Sequence, residues 1–203
     1  MTQQNSVTIP ALPTPLRWQS DPQHWELAAD GTLSITAGRL TDWFIDPDKG
    51  TTTASAPALL MPVHEPCMFK ALVSADHAAT YDAGVLTVYQ SDQVWAKLCL
   101  ELSPQGQVMV VSVVTKSVSD DCNSLIVDGH SAYLRVAKLD RAYTFHYSPD
   151  GIRWHLIRYF TLGDSPDVEI GFLAQSPTGE GCTASFSEIV YLPEKLHNIR
   201  SGD

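Results

Sequence analysis

The sequence predicts an all-β domain built as a sandwich of two antiparallel sheets, and three observations carry that prediction. Short segments rich in Val, Ile, Thr, Leu and Tyr recur along the chain with turn signals between them. Two turns, Ser103-Pro104-Gln105-Gly106 and Ser148-Pro149-Asp150-Gly151, carry Pro at the second position and Gly at the fourth, the chemistry of type I turns. No stretch holds a 3.6-residue apolar period, and Glu194 to Ile199 makes at most a short turn of helix behind Pro193.

Taken in order, residues 1–15 are polar and punctuated by Pro10, Pro13 and Pro15, which suits a flexible lead-in that hugs or trails the domain. The sandwich is expected over residues 16–193 and a tail over 194–203. Early strands are read at Gly31 to Ala37, Phe69 to Ser74 and Gly84 to Tyr89. The clearest follow at Val94 to Leu102, Gln107 to Thr115, Ala132 to Ala137, Tyr143 to Ser148, Arg153 to Phe160, Val168 to Gln175 and Thr183 to Leu192. Their spacing suits a meander or jelly roll, and the Pro/Gly pieces between them are hairpin-sized, too short to serve as linkers between domains.

Length and composition agree with one core. The chain has 203 residues, 44% hydrophobic and 18% charged, an ordinary globular balance. Thirteen Lys and Arg stand against 23 Asp and Glu, for a formal charge of -10, and no basic tract interrupts the acidity. Phosphate backbones are repelled by such a chain, so nucleic acid is excluded as a partner. No run of about 18 apolar residues argues for a membrane span, and the start MTQQNSVTIP lacks a signal peptide's basic and apolar regions. A cytoplasmic location follows as the expectation. Cys67, Cys99, Cys122 and Cys182 lack metal-ligand spacing and read as free thiols of a reducing compartment.

Strand alternation selects candidate site residues. On Val94 to Leu102 the apolar set Ala96, Leu98, Leu100 and Leu102 must face the core, which turns Trp95, Lys97, Cys99 and Glu101 the other way. By the same rule Leu134 and Val136 point inward with Tyr133 and Arg135 opposite. Tyr143, Phe145 and Tyr147 point inward with Thr144, His146 and Ser148 opposite. If these strands are neighbours, Trp95, Lys97, Glu101, Tyr133, Arg135 and His146 line one concave face. Such a surface suits a carbohydrate or a small polar ligand, because a flat ring covers the sugar's C–H face while charged groups take its hydroxyls. A plain solvated sheet face is the competing reading.

Other chemistries find less support. The loop Ser119 to Ser124 gathers Asp120, Asp121 and Asn123, yet it lacks the spacing and Gly of a calcium loop, and Asx turns account for it. Asp42 to Pro47 joins a large aromatic to two acids, and Asp46 to Gly50 reads as a turn. No GxSxG occurs, and His24, His64, His77, His130, His155 and His197 are scattered. Glycoside hydrolysis needs a pair of carboxylates across the scissile bond. Hydrolases on this kind of sandwich carry them two and four positions apart on one strand, where Glu101 has Cys99 and Lys97. Lys97 is expected to favour the ionised carboxylate, the opposite of what a general acid needs. No cofactor or metal is expected.

Several blocks together resemble a family of uncharacterised concanavalin A-like domains, labelled after a regulation-of-enolase protein and related to domains appended to β-xylosidase-like enzymes. They are Tyr81 to Val85 (YDAGV), Trp95 to Glu101 (WAKLCLE), Val110 to Thr115 (VVSVVT) and Ser119 to Asp121 (SDD). Further blocks are Tyr133 to Arg135 (YLR), Phe145 to Gly151 (FHYSPDG) with Trp154, and Gly171 to Cys182 (GFLAQSPTGEGC) ahead of Phe186. The resemblance spans about residues 17–192 and implies a concanavalin A-like jelly-roll sandwich. It supplies no reaction. The expected function is a non-catalytic binding module. The alternatives are a glycoside-processing enzyme using Glu101, and a protein-interaction or self-associating domain that regulates a metabolic enzyme.

Overall fold

The computed structural model describes residues 6–203, and its strands form two large antiparallel sheets and one small ribbon. Across the eight-stranded sheet the spatial order is β1 (Ser6–Val7), β2 (Leu16–Ser20), β7 (Ala58–Pro62), β16 (Glu169–Gln175), β9 (Ala83–Ser91), β10 (Val94–Leu102), β11 (Val108–Lys116) and β12 (Val118–Ile126). The seven-stranded sheet runs β15 (His155–Phe160), β14 (Tyr143–Ser148), β13 (Ser131–Lys138), β8 (Cys67–Ala75), β17 (Gly181–Leu192), β4 (Leu33–Gly38) and β3 (His24–Leu27). The ribbon pairs β5 (Trp43–Ile45) with β6 (Thr52–Ala54).

Alternation produces the core. Ala96, Leu98 and Leu100 of β10 meet Leu134 and Val136 of β13 and Phe145 of β14 in one cluster between the sheets. Phe172 sits among aromatic neighbours there, with its ring centroid 5.0 Å from Phe69 and 4.8 Å from Phe186, separations typical of favourable aromatic pairs. Both expected hairpins are present. Gly106 N–H donates to Ser103 O between β10 and β11 with Gly106 at φ 74°, a conformation that favours glycine. Gly151 N–H donates to Ser148 Oγ between β14 and β15.

The structure departs from the sequence expectations in three places. Of the lead-in, residues 1–5 lie outside the described residues. The remainder is packed: β1 pairs with β2, and Val7 and Ile9 are buried in the main core. Ser119 to Ser124 is part of the edge strand β12 and not a loop, paired with β11 through Asn123 with a bulge at Ser124. Both of its faces are polar, so no alternation marks it. Glu194 to Ile199 forms no helical turn. The tail instead docks on the outside of the seven-stranded sheet, where Leu196 packs with Ala137 and Leu139.

Arg158 joins the two sheets at one side. From the edge strand β15 it reaches β12, where its Nη2 is 3.0 Å from Asp120 Oδ1 and its Nη1 donates to Asp120 O at 3.2 Å.

Candidate functional site

The outer face of the eight-stranded sheet is not a bare solvated surface. Val85 of β9, Cys99 of β10, Val111 and Val113 of β11 and Leu173 of β16 form a second apolar cluster there, roofed by Trp43 and Ile45 of the ribbon. Serine hydroxyls hold the roof in place: Ile45 N–H donates to Ser119 Oγ at 2.9 Å, and Ser119 Oγ is 2.9 Å from Thr115 Oγ1. Trp95 lies beneath the ribbon, only 3% exposed, with its ring centroid 5.9 Å from that of Trp43. It is a wall of this cluster and not an open stacking platform.

Lys97 projects into the middle of this apolar patch with 2% of its surface exposed. Its ammonium donates to Asp42 Oδ1 at 2.9 Å and to Gln175 Oε1 at 2.8 Å. With the carbonyl of Gln175 turned to Lys97, the amide Nε2 donates to Tyr81 O at 3.1 Å and to Glu101 Oε2 at 3.3 Å. Asp42 Oδ1 also accepts from Trp43 N–H at 2.7 Å, which fixes the carboxylate at the entrance to the ribbon. The result is one chain of hydrogen bonds, Asp42 to Lys97 to Gln175 to Glu101, buried at its middle and half-buried at both ends.

The electrostatics follow from burial. Desolvation, the largest single influence, favours a neutral Lys97, but Asp42 together with Cys99 and Glu101 outweighs it and holds the ammonium's pKa above its ordinary value. Glu101 goes the other way. Burial pushes its carboxyl up to about 8, against the opposing pull of Lys97 and with Asp121 and Asp42 adding to the rise. Lys97 does favour the ionised carboxylate, as expected, but burial outweighs it and the carboxyl ends above its ordinary value. Asp121 on β12 is raised as well, by burial first. Burial raises the Cys99 thiol far above its ordinary range, so Cys99 is an inert part of the floor.

The six residues selected by alternation do not converge. Trp95, Lys97 and Glu101 share the outer face of the eight-stranded sheet. Tyr133, Arg135 and His146 lie on β13 and β14, in the other sheet, and face away on the opposite side of the molecule. There the chain's tail covers them: Arg135 Nη2 donates to Gly202 O at 2.8 Å, and His146 Nε2 to Ile199 O at 2.9 Å. Tyr133 Oη donates to Glu188. The predicted inward and outward assignments hold on all three strands; the sheet to which each strand belongs is what differs. Sequence reasoning missed Gln175, although alternation on Val168 to Gln175 places Leu173 and Gln175 together on the outer face. Among the described residues no group of three or more His, Cys, Asp or Glu is placed to hold a metal ion.

The strand order and the roofed polar array define a lectin-like sandwich of the concanavalin A-like jelly-roll class. Within it, the chain belongs to the family described as protein of unknown function (DUF1349), whose model matches residues 18–193. Similar solved structures include a functionally unknown protein from Saccharomyces cerevisiae, with TM-score 0.81, 23% identity, 88% of this chain covered and 96% of that one. The GH43 BlXynB protein from Bacillus licheniformis has TM-score 0.69 and 17% identity, covering 87% of this chain but only 37% of that one. The carbohydrate binding module CBM66 from Bacillus subtilis has TM-score 0.54 and 8% identity, with 86% and 94% covered. At these identities the likeness is one of fold. No curated protein matches the chain, and no helix among the described residues is long and apolar enough to cross a membrane.

Two outcomes test the site's energetics. Asp42→Ala leaves the Lys97 charge buried without its counterion and is expected to cost about 3 kcal/mol in urea unfolding; adding Lys97→Met recovers part of that loss. For Glu101 the folded state holds its proton up to about pH 8 while the ordinary value is 4.5. The folded state therefore binds the extra proton between those values, and stability falls as pH rises through that window. Glu101→Gln is expected to flatten this decline by roughly 2–4 kcal/mol between pH 5 and pH 8, read as the difference between variant and native unfolding curves.

Proposed function

We propose that this chain is a non-catalytic binding module for a carbohydrate or related polyhydroxylated ligand, held on the outer face of the eight-stranded sheet at Glu101, Asp121 and the polar array behind them. The observation that carries the reading is the hydrogen-bond chain from Asp42 through Lys97 and Gln175, which is satisfied at its buried middle and ends at the half-buried Glu101. A carboxyl that is largely protonated at neutral pH both donates and accepts, as sugar hydroxyls do. Trp95 and Trp43 stiffen the floor and roof beside it. The fold shared with CBM66, a carbohydrate binding module by name, supports the same reading. The free cysteines Cys67, Cys99, Cys122 and Cys182 fit a reducing compartment, and we place the protein in the cytoplasm.

Glycan-array screening followed by calorimetry tests the module. Glu101→Ala and Asp121→Ala are each expected to weaken binding of a captured glycan about tenfold. Absence of any sugar ligand, or full affinity in both variants, removes this face from recognition.

One observation favours a second reading, a glycoside-processing enzyme. A carboxyl held at about 8 by burial has the protonation state of a general acid at neutral pH, and Asp121 is a second carboxyl whose charge acts on it. Turnover of chromogenic glycosides that disappears in Glu101→Gln supports this reading, and unchanged turnover in that variant eliminates it.

A further inference from the structure

The outer face of the seven-stranded sheet carries a second polar site, independent of the one above and unlike it in charge. Register sets Val190, Lys70, Arg135 and His146 side by side on β17, β8, β13 and β14. Lys70 and Arg135 are direct cross-strand neighbours, and like charges in that relation repel. The chain is strongly acidic, yet none of the six ion pairs among the described residues includes either cation.

Arg135 is only 5% exposed. A guanidinium has five N–H donors, and here one hydrogen bond is made, from Nη2 to Gly202 O, while the buried Nε finds no partner among the described groups. Thr144 Oγ1 and His146 Nδ1 on the same face are also buried and unpartnered. His146 Nε2 must donate to the Ile199 carbonyl, which leaves Nδ1 as a bare acceptor. A native fold rarely leaves such atoms unmatched without a reason.

Of these groups Arg135 is the one that lines a cavity, and its surroundings define what would match it. Trp154 stacks on Arg135, with Cζ 4.1 Å from the ring centroid, and Lys70 Nζ lies 5.7 Å from the same ring. Met68, Val190 and Leu192 complete the walls of a cavity of about 260 Å³. Two cations gathered against one indole, with Met68, Val190 and Leu192 as aliphatic walls, suit an anionic head on an apolar body. A dry cavity of about 150 Å³ already holds benzene. The chain's own tail stands at the entrance: Gly202 O takes one guanidinium donor, and the Asp203 charge acts on Arg135.

We propose that the Lys70–Arg135–Trp154 cavity binds the carboxylate of a small organic acid with an apolar body, and that residues 199–203 compete with that ligand for Arg135. The competition has a structural handle. Gly202 lies at φ 79°, and a Cβ there would sit 2.5 Å from Trp154 Cβ and 2.6 Å from Arg135 Nη2. Gly202→Ala therefore forces the segment and the Arg135 and Trp154 side chains apart while leaving both ligand-binding side chains chemically unchanged.

The test titrates benzoate into the full chain at low salt, followed by calorimetry and by the Trp154 indole N–H resonance, with benzyl alcohol and inorganic phosphate as parallel probes. Saturable benzoate binding that moves the Trp154 signal is expected, with both other probes about tenfold weaker or more. Lys70→Gln, at a half-buried position outside the core, is expected to keep the native unfolding midpoint and lose about tenfold in benzoate affinity. Gly202→Ala is expected to gain several-fold. Benzoate binding no tighter than benzyl alcohol, or unaffected by Lys70→Gln, overturns the site. Phosphate binding as tight as benzoate overturns the apolar-body requirement, and unchanged affinity in Gly202→Ala overturns the competition.

Discussion

An ammonium group enclosed on an apolar sheet face has to be paired, since isolating it from water costs several kcal/mol. Lys97 meets that requirement with partners brought from far along the chain: Asp42, at the entrance to the ribbon, and Gln175, at the end of β16. Pairing thus locks the roof onto the eight-stranded sheet and ties the ribbon to the central strands. It also sets the chemistry of the neighbourhood. Lys97 pulls Glu101 toward its ionised form, but desolvation outweighs that pull and decides the protonation of the carboxyl.

Much of the fold was legible because alternation is a local property. Ala96, Leu98 and Leu100 against Lys97 and Glu101 is a pattern that one strand carries by itself, and the same holds for Leu134 and Val136 against Arg135. Which strands lie side by side is not local. Nothing between Trp95 and His146 announces that β10 pairs with β9 and β11 while β13 pairs with β8 and β14, so six residues expected on one face fall on two. The protonation of Glu101 was illegible for a similar reason, since the burial that outweighs the pull of Lys97 is set by neighbouring strands and not by β10 alone. Strand β12 escaped notice because an edge strand with polar side chains on both faces has no period to read.

Each outer face is covered by a segment distant in sequence, the ribbon on one side and the tail on the other. Residues that a two-layer sandwich would leave in solvent are consequently buried, Trp95 and Lys97 under the ribbon, Arg135 and His146 under the tail. The molecule is better described as a main core with satellite clusters beneath its coverings. The coverings have different electrostatic character. The ribbon side brings acids to a lysine, whereas the tail side leaves two cations beside one indole.

Strand β12 closes the eight-stranded sheet with an unpaired backbone edge, the feature by which β-proteins recruit further strands and grow into aggregates. Here Asp120 and Asp121 are consecutive, so their side chains point to opposite faces of that edge, and Asp120 is held by Arg158 from the other sheet. An incoming strand from another molecule would meet negative charge above and below the line of its hydrogen bonds. The edge that borders the candidate binding face therefore carries acids that disfavour the addition of a further strand there.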